Sequence, residues 1–459
     1  MTTRRDETMI VREIDWRDPV AGFAPWAGEP FAALLDSAAE GDARSRWSYL
    51  AVEPFRTIVA GPDGVSVDGA VVDGDPFTVL ERELARTGAP RTAGPAPFGG
   101  GAVGFLGYGL GRHLERLPCR HANDLGIPEM AFGLYDVVVT FDHRERRGWI
   151  TSLGGVARLE MVAQRLGTAS LVPPTQANGT WRADLTRAEY ERRVGQVLDY
   201  IQAGDIFQAN FTGRFIAERP AGVSGFDLYR RLRALSPAPF AAYAACGPRL
   251  TLASASPERF LRLSADGAVE TRPIKGTLPR GATAEEDAAN AAALASSVKD
   301  RAENLMIVDL MRNDLGRVAR TGSVTVPSLC AVESFASVHH LVSVVEAELR
   351  PAVGPVDLLR ATFPGGSITG APKIRAMEII DELEACQRGP YCGALAWIGF
   401  DGAMDSAILI RTLVVTPERI AAHAGGGIVS DSVPALEYEE MLVKVAPLLG
   451  TLDSGGMPS

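Results

Sequence analysis

The order of strand-like and helix-like segments is the feature that most constrains how this chain folds. Short β-type runs, separated by Gly and Asp turns, dominate the first 155 residues. These runs read RTIVAG (56–61), GVSVDGAVV (64–72), DVVVTFD (136–142) and GWITSLGG (148–155). Helix-like stretches do not follow each run in turn, as the crossovers of a parallel sheet require. The pattern therefore predicts an α+β fold in which large antiparallel sheets carry helices packed outside.

The clearest helix signals lie in the second half of the chain. Thr186 and Glu189 form a capping-box pattern before an apolar stripe, and Gly204 marks the helix end. Residues 284–311 read as one long helical stretch. In GSITGAPKIRAMEIIDELE (366–384) a glycine loop feeds another helix, because Pro372 suits a first helical turn.

The length of 459 residues predicts two or three domain-sized units or one large interlaced core. A segment with paired prolines and an Asn-Gly step, residues 167–185, is the best linker candidate. It separates an N-terminal region, residues 1–166, from a C-terminal region, residues 186–450. Residues 451–459 are expected to form a flexible tail.

Charge and composition exclude several classes of function. A net charge of −10 leaves no basic stripe for nucleic acid. No run approaches the ~18 apolar residues of a membrane span, and the charged N-terminus lacks a signal-peptide core. We therefore expect a cytoplasmic protein. Five scattered cysteines without a CxxC pair argue against a disulfide framework or a thiolate metal site.

Two glycine-rich motifs give weak signals for phosphate binding. GGGAVG (99–104) satisfies GxGxxG, but glycine and aromatic residues follow it instead of a clean helix. GGSITGAPK (365–373) lacks the GK[ST] of a P-loop because Ala371 interrupts it. Its backbone amides still suit an anion cradle at a helix start.

Two pairs of acidic residues share a spacing of three, which places each pair on one helix face. The pairs are Asp300 with Glu303 and Glu437 with Glu440, and Lys444 extends the second face by one turn. Each pair alone is typical of a solvated helix face. If the pairs converge, their oxygens suit Mg²⁺, which prefers carboxylates, water and substrate oxygens.

Lys275 stands in TRPIKGTLPRG (271–281), between a proline-led approach and a Gly-Thr step. Most lysines beside turns are solvated. The alternative is an amine held at the floor of a site by a short strand and a tight loop. The local pattern leaves both interpretations open.

Ordered sequence blocks between about 190 and 447 resemble the signature of the chorismate-utilising enzymes. The main blocks are SPERF (256–260), RPIKGT (272–277), KDRAENLMIVDLMRNDLG (299–316), VHHLVS (338–343), FPGGSITGAPKIRAMEIIDELE (363–384), YCGALAWIGFDG (391–402), IRTLVV (410–415) and GGGIVSDSVPALEYEEMLVK (425–444). LLDSAAEGDARSRWSYL (34–50) and GGAVGFLGYGLGR (100–112) resemble the glutamine-dependent members. The resemblance implies interlaced antiparallel sheets that form a β-sandwich core, with residues 186–450 as the catalytic region.

Two positions separate the branches of this family. Members that add water carry a lysine base where this chain has Gln208, and an amide cannot abstract a proton at neutral pH. Anthranilate synthases typically read PIAGT where this chain reads PIKGT, as aminodeoxychorismate synthases do. The resemblance therefore implies amination of chorismate to 4-amino-4-deoxychorismate through a covalent bond to Lys275, for 4-aminobenzoate and folate synthesis.

The same resemblance assigns expected roles to further residues. Glu258 matches the general acid, His340 the histidine linked to pyruvate elimination in anthranilate synthases, and Thr369 lines the site. Residues expected to bind substrate are Gly276, Thr277, Tyr391, Arg411, Gly425, Gly426, Gly427 and Lys444. Glu303 and Glu440 match direct Mg²⁺ ligands, with Asp300 and Glu437 acting through water. As a lone histidine, His340 is equally compatible with a structural role.

The resemblance also bears on partners. No glutaminase motif is visible, so a separate glutamine amidotransferase subunit is expected to supply ammonia. Ser37, Arg44, Ser45, Arg46, Trp47, Pro239, Phe240 and Ala241 resemble the family's tryptophan pocket. Ala241 replaces a residue that is often polar there, which weighs against tryptophan binding. The alternatives are an anthranilate synthase component I and a non-catalytic subunit that senses tryptophan.

Overall fold

Two large antiparallel sheets form the framework of the protein. The computed structural model describes residues 9–87, 94–335 and 338–453. Each sheet has twelve strands, and neighbouring strands in both sheets run antiparallel. This architecture confirms the predicted α+β fold.

The first half of the chain contributes ten strands and three helices to the described structure. The strands are β1 (Ile10–Ile14), β2 (Ala33–Asp36), β3 (Trp47–Ala51), β4 (Arg56–Gly61), β5 (Gly64–Val67), β6 (Ala70–Val72), β7 (Gly101–Leu106), β8 (Met130–Tyr135), β9 (Val137–Asp142) and β10 (Arg147–Ser152). The helices are α1 (Pro19–Phe23), α2 (Pro76–Thr87) and α3 (Gly155–Gly167).

The second half contributes the remaining strands and helices. The strands are β11 (Arg182–Ala183), β12 (Gln208–Glu218), β13 (Phe240–Ala245), β14 (Thr251–Ser256), β15 (Arg259–Leu263), β16 (Ala268–Thr271), β17 (Ile274–Pro279), β18 (Thr325–Ser334), β19 (Val338–Glu348), β20 (Gly370–Ala371), β21 (Ala394–Gly399), β22 (Met404–Ile408), β23 (Thr412–Val415) and β24 (Arg419–Ile428). The helices are α4 (Arg187–Gln202), α5 (Gly225–Leu235), α6 (Ala284–Ser296), α7 (Val298–Gly316), α8 (Pro355–Thr362), α9 (Lys373–Leu383) and α10 (Pro434–Leu449).

Strands from both halves interlace in each sheet. Sheet 1 has the order β1-β10-β9-β3-β2-β13-β14-β23-β24-β12-β11, with β20 paired to β12. Sheet 2 has the order β17-β19-β16-β15-β22-β21-β7-β8-β4-β5-β6, with β18 paired to β19. The halves therefore share one framework, and the region boundaries at 166 and 186 stay a prediction.

The sheets face each other across an apolar layer, and helices cover their outer faces. Tyr49 of sheet 1 packs edge-on against Phe98 with ring centroids 5.6 Å apart, and Phe98 lies 5.0 Å from Trp397 of sheet 2. Separate buried clusters join sheet 1 to α1, α3, α4, α5, α9 and α10, and sheet 2 to α2, α7 and α8. Central strands such as β7, β8, β9 and β21 are therefore buried along their whole length.

Local sequence signals predicted some helix ends correctly and missed one break. The capping box of Thr186 and Glu189 is present, and α4 ends before Gly204. The predicted single helix over 284–311 is wrong, because Ser297 adopts an extended backbone between α6 and α7. Its hydroxyl accepts a hydrogen bond from the Asp300 amide and caps α7. Pro372 is the N-cap residue of α9 and lies just before its first turn.

The prediction of a flexible tail is wrong for its first three residues. Thr451 and Leu452 are buried, and the Asp453 carboxylate pairs with Arg231 and accepts a hydrogen bond from the Ala177 amide. These contacts bind the segment to the predicted linker. Residues 454–459 lie outside the described residues. Within the described ranges, no helix combines the length and apolar character needed to cross a bilayer.

Candidate active site

Lys275 lies on β17, the edge strand of sheet 2, where the strand departs from regular pairing. The register between β17 and β19 shifts between Ile274 and Thr277, so Lys275 and Gly276 fall within an irregularity. Gly276 has φ +77°, a left-handed conformation that favours glycine. An irregularity of this kind redirects side chains. The Lys275 amine is half-buried and donates a 3.5 Å hydrogen bond to the Ser367 carbonyl.

Gly276 also brings β17 against the first turn of α7. A Cβ atom added there would lie 2.8 Å from the Asp300 carboxyl carbon and 2.8 Å from a Leu294 methyl group. A larger side chain at this position would force these two side chains to shift and would be strained at this φ. Asp300 is positioned in turn by the Ser297 cap at the helix start. The break between α6 and α7, which the sequence analysis missed, sets the position of this acidic residue.

One residue of each predicted acidic pair acts electrostatically on Lys275. Burial lowers the Lys275 pKa, while the negative charges of Glu303, Glu258 and Glu440 oppose this change. The positive charge of Lys444 lowers the Lys275 pKa further. The residues that shift the Lys275 pKa come from α7, from α10 and from the segment after β14, so these three parts of the chain lie around the Lys275 amine. A solvated turn lysine does not have these surroundings.

Glu258 is buried in the turn between β14 and β15. Ser256 fixes this turn, because its hydroxyl accepts a hydrogen bond from the Glu258 amide and donates one to the Ile408 carbonyl. Burial raises the pKa of Glu258, although Ser367 and the charge of Lys275 partly offset the effect. A raised pKa favours the protonated form, which a general acid requires.

Three of the acidic residues of the predicted metal site have pKa values that differ in the direction of their shift. Burial raises the pKa of Glu303 and of Glu437, and nearby carboxylates add to both effects. Burial acts to raise the pKa of Glu440, but the charge and hydrogen bond of Lys444, 2.6 Å away, together with the charges of Lys299 and Lys275, lower this pKa overall. Glu437 and Glu440 both face Gly426, whose added Cβ would lie 3.3 Å and 3.4 Å from their oxygens.

The donor chemistry of this cluster fits a divalent cation. Glu303 and Glu437 have raised pKa values, so a cation that neutralises their negative charge is favoured there, and carboxylate oxygens are the ligands that Mg²⁺ prefers. In the arrangement shown, Lys444 pairs with Glu440 and Lys299 lies 3.9 Å from Glu437. Among the described residues, no three His, Cys, Asp or Glu side chains are grouped closely enough to hold a metal ion.

Arg411 is a half-buried guanidinium in the predicted carboxylate-binding region. Burial lowers its pKa. In the described ranges, the ion pairs within 4.0 Å include none with Arg411. A half-buried guanidinium that pairs with none of the described acidic residues suits an anionic ligand. Tyr391 is buried and stacks on His423 with ring centroids 5.0 Å apart.

The predicted glycines of β24 allow close approach at the strand end. A Cβ on Gly425 would lie 2.1 Å from the Phe211 carbonyl oxygen, and one on Gly427 would lie 2.4 Å from Nε2 of Gln208. The Lys444 amine donates a 2.9 Å hydrogen bond to the Gly425 carbonyl. Gly425 is therefore required by its close approach to the backbone of β12, and Gly427 leaves room for the Gln208 side chain.

His340 and Thr369 make protein contacts that fix their positions. Thr277 and His340 pair across β17 and β19, with the hydroxyl 2.8 Å from Nδ1. Burial, with the nearby charges of Arg44 and Arg411, lowers the His340 pKa to about 4, so its imidazole is neutral at pH 7. Thr369 is buried and donates to the Gly365 and Gly366 carbonyls, which stabilises the loop.

The predicted tryptophan pocket corresponds to a separate cavity between the sheets, of about 830 Å³. Seven of the eight predicted residues line it: Ser37, Arg44, Arg46, Trp47, Pro239, Phe240 and Ala241. Ser45 is not in this lining. The Arg44 guanidinium already pairs with Asp42 and lies over the Phe335 ring at 4.3 Å. Tryptophan binding stays a prediction.

Sequence reasoning missed the polar network behind the site. The buried Arg388 donates to both carboxylate oxygens of Glu384 and to the carbonyls of Ile368 and Asn210. Thr212 donates to the same carboxylate at 2.8 Å. This network connects the 365–369 loop to β12. No local motif indicates it, because its members come from distant segments.

A compositional signal for the site was present in the sequence but was missed. The chain has four lysines and 42 arginines. Lys275 and Lys444 lie in the site, Lys299 borders it, and Lys373 pairs with the buried Asp314. Arginine cannot lose its proton near neutral pH, whereas a buried lysine can. A rare lysine in an arginine-rich chain therefore indicates a position where arginine does not substitute.

The fold and the site together define a class of protein. The chain belongs to the chorismate binding enzyme family, whose model matches residues 32–450. It is 43% identical to the aminodeoxychorismate synthase component 1 of Klebsiella aerogenes, covering 96% of this chain and 98% of that protein. It is 42% identical to the anthranilate synthase component 1 of Thermus thermophilus, with 96% of each chain covered.

Solved structures agree with this family assignment. The crystal structure of anthranilate synthase component I from Streptococcus pneumoniae is 34% identical, with a TM-score of 0.79 over 89% of this chain and 93% of that chain. The menaquinone-specific isochorismate synthase MenF of Escherichia coli shares the fold, with a TM-score of 0.73 at 16% identity, over 97% of this chain and 95% of that chain. The family signature recognised in the sequence is confirmed.

Proposed function

We propose that this protein is the chorismate-aminating component of an aminodeoxychorismate synthase, which converts chorismate and ammonia to 4-amino-4-deoxychorismate. One observation carries the proposal: the amine of Lys275 is half-buried among acidic residues, and its pKa is lowered. A nucleophilic amine must be neutral to attack. The proposal also has support from relatives of that name at 41–43% identity over nearly their whole length.

Lys275 and Glu258 act as a pair in the first step. The neutral amine attacks C2 of chorismate, the ring double bonds shift, and the C4 hydroxyl leaves as water with a proton from Glu258. The step needs an unprotonated amine and a protonated carboxyl in the same molecule. Burial lowers the pKa of the amine and raises that of the carboxyl, and both effects enlarge the active fraction.

Ammonia completes the exchange in the second step. It attacks C4, the double bonds shift back, and the bond from C2 to Lys275 breaks. Lys275 leaves as a neutral amine, and the new C4 ammonium returns one proton to Glu258. Chorismate and ammonia thus give the amino product and water, with both side chains restored.

The remaining site residues orient the substrate. Arg411, Tyr391 and the amides of 425–427 bind the enolpyruvyl carboxylate, and Thr277 holds the neutral His340 at the site wall. Glu303 and Glu440 would hold Mg²⁺, with Asp300 and Glu437 around them. A bound Mg²⁺ supplies positive charge that neutralises and orients the ring carboxylate. A glutamine amidotransferase subunit supplies the ammonia.

Product analysis tests this function. The protein is incubated with chorismate, MgCl₂ and ammonium chloride, and products are identified by mass spectrometry. We expect 4-amino-4-deoxychorismate. Anthranilate as the product would favour the alternative that the 42% identical anthranilate synthase raises. If no chorismate is consumed but calorimetry detects tryptophan binding, the protein is a sensor and the proposal is wrong.

A further inference from the structure

Asn304 is a buried amide on α7, immediately after Glu303, and it is 0% exposed. Its Nδ2 donates a 3.3 Å hydrogen bond to the Leu341 carbonyl, and its Oδ1 accepts a hydrogen bond from the Ser343 hydroxyl. The Ser343 hydroxyl in turn accepts a 2.8 Å hydrogen bond from the Cys330 amide. A backbone amide can only donate, so the Ser343 proton points to Oδ1 and the orientation of the Asn304 side chain is fixed.

The two residues that bind this amide lie on β19, the strand that also holds β17. The Ser343 backbone amide donates a 3.2 Å hydrogen bond to the Pro273 carbonyl, two residues before Lys275. Thr277, two residues after Lys275, pairs with His340 of β19. The irregular segment of β17 is therefore anchored to β19 at both ends, and Lys275 lies between the anchors.

Ser343 thus connects the helix of Glu303 to the strand of Lys275 through a single residue. Its side chain binds the amide next to Glu303, and its backbone binds the start of the segment that carries Lys275. Apolar packing keeps a helix against a sheet but leaves its rotation and its shift along the axis loosely defined. Directional hydrogen bonds to two points of one strand define both.

We propose that Asn304 and Ser343 are positioning residues that set the placement of Glu303 relative to the Lys275 amine, an inference that rests on the proposed function. Glu303 belongs to the acidic group that orients the ring carboxylate of chorismate, whereas Lys275 attacks C2. Their relative placement therefore sets the distance between the amine and C2. Neither positioning residue is among those expected to bind chorismate, and neither changes covalently.

The test compares Asn304→Leu with Asn313→Leu, a substitution of an exposed asparagine on the same helix. Leucine is close to asparagine in shape but forms no side-chain hydrogen bonds. Each protein is mixed with MgCl₂ and a series of chorismate concentrations without ammonia, and mass spectrometry follows the adduct on the Lys275 peptide. We expect the maximal rate in Asn304→Leu to fall about tenfold or more, since a misplacement of about 1 Å costs up to roughly 100-fold. The half-saturating chorismate concentration should stay at the wild-type value, and Asn313→Leu should match the wild type.

Three further variants separate positioning from stability. Ser343→Ala removes the hydroxyl and should slow adduct formation as Asn304→Leu does. Ser343→Thr keeps a hydroxyl and should restore the rate. Leu452→Ala removes buried apolar contacts in the C-terminal segment, so it should lower the Tm while the adduct forms at the wild-type rate.

Several results would overturn the inference. An unchanged maximal rate in Asn304→Leu and Ser343→Ala would show that the network does not position the site. An equal fall of the rate in Leu452→Ala would show that the rate follows stability alone, and a rise in half-saturating chorismate alone would assign the pair to substrate binding. If Asn304→Leu does not fold, Ser343→Ala and Ser343→Thr decide, and equal rates in these two would reject the role of the hydroxyl. If the wild type forms no adduct at Lys275, the proposed function itself fails, and this inference fails with it.

Discussion

Replacing Arg388 with methionine tests whether the buried network behind the site supports the fold. Arg388 is 3% exposed and Glu384 is 4% exposed, and the two share hydrogen bonds at 2.9 Å and 2.6 Å. In Arg388→Met, the Glu384 carboxylate loses its hydrogen bonds from Arg388 and retains the one from the Thr212 hydroxyl. Breaking a buried ion pair from one side costs about 3–5 kcal/mol. An unfolding entropy of about 2 cal/mol/K per residue gives roughly 1 kcal/mol/K for this chain. The Tm should therefore fall by about 3–5 °C.

The double variant Arg388→Met with Glu384→Gln separates a lost interaction from an orphaned charge. The second substitution removes the unpaired carboxylate, so we expect it to recover more than half of the loss, as a double-mutant cycle would show. Calorimetry of the wild type and the variants measures the Tm values. A single variant within 1 °C of the wild type, or a double variant less stable than Arg388→Met, would refute the reasoning.

Three further substitutions test other parts of the account. Glu258→Gln should slow amination by about 100-fold or more. It should also abolish the fall in kcat/KM at alkaline pH, because that fall reports the loss of the acid proton. The exposed variant Glu285→Gln is the control, and an alkaline fall that remains in Glu258→Gln would exclude Glu258 as the acid. Arg411→Met should raise the KM for chorismate about tenfold or more, whereas the exposed control Arg312→Met should keep the wild-type KM. A wild-type KM in Arg411→Met would show that Arg411 does not bind chorismate. Leu452→Ala should lower the Tm by about 2–4 °C, since the side chain is buried, whereas Leu436→Ala, at an exposed position, should not. A wild-type Tm in Leu452→Ala would show that the C-terminal segment does not contribute to stability.

Much of the fold was predictable because the strand signals are local. The runs at 56–61 and 136–142 became β4 and β9 almost at their predicted bounds, and the Thr186 cap starts α4. The pairing of strands from distant segments is not readable from such runs. Only the family resemblance predicted the interlaced sheets.

The errors have physical causes. Ser297 breaks the predicted long helix without glycine or proline, since its hydroxyl caps α7 while its own backbone is extended. The C-terminal segment reads as polar and small, yet Thr451 and Leu452 are buried through contacts with remote residues. The first error comes from a local capping interaction that the apolar pattern does not show, and the second comes from tertiary contacts that override local preference.

Spacing and resemblance together selected the residues of the candidate site, and the roles assigned to those residues stay predictions. The spacing of three places each acidic pair on one helix face, and one residue of each pair, Glu303 and Glu440, raises the pKa of Lys275 through its negative charge. The Arg388 network and the buried amide of Asn304 were not predictable, because their significance depends on burial that only tertiary packing creates.

The central claim is that Lys275 forms a covalent bond to chorismate. The most direct measurement is peptide mass mapping after incubation with chorismate and MgCl₂ without ammonia. We expect the peptide that contains Lys275 to gain the mass of chorismate less one water, with no gain at Lys299, Lys373 or Lys444. Lys275→Ala should show no adduct. Undiminished formation of 4-amino-4-deoxychorismate by Lys275→Ala, or an adduct at another lysine, would contradict the claim.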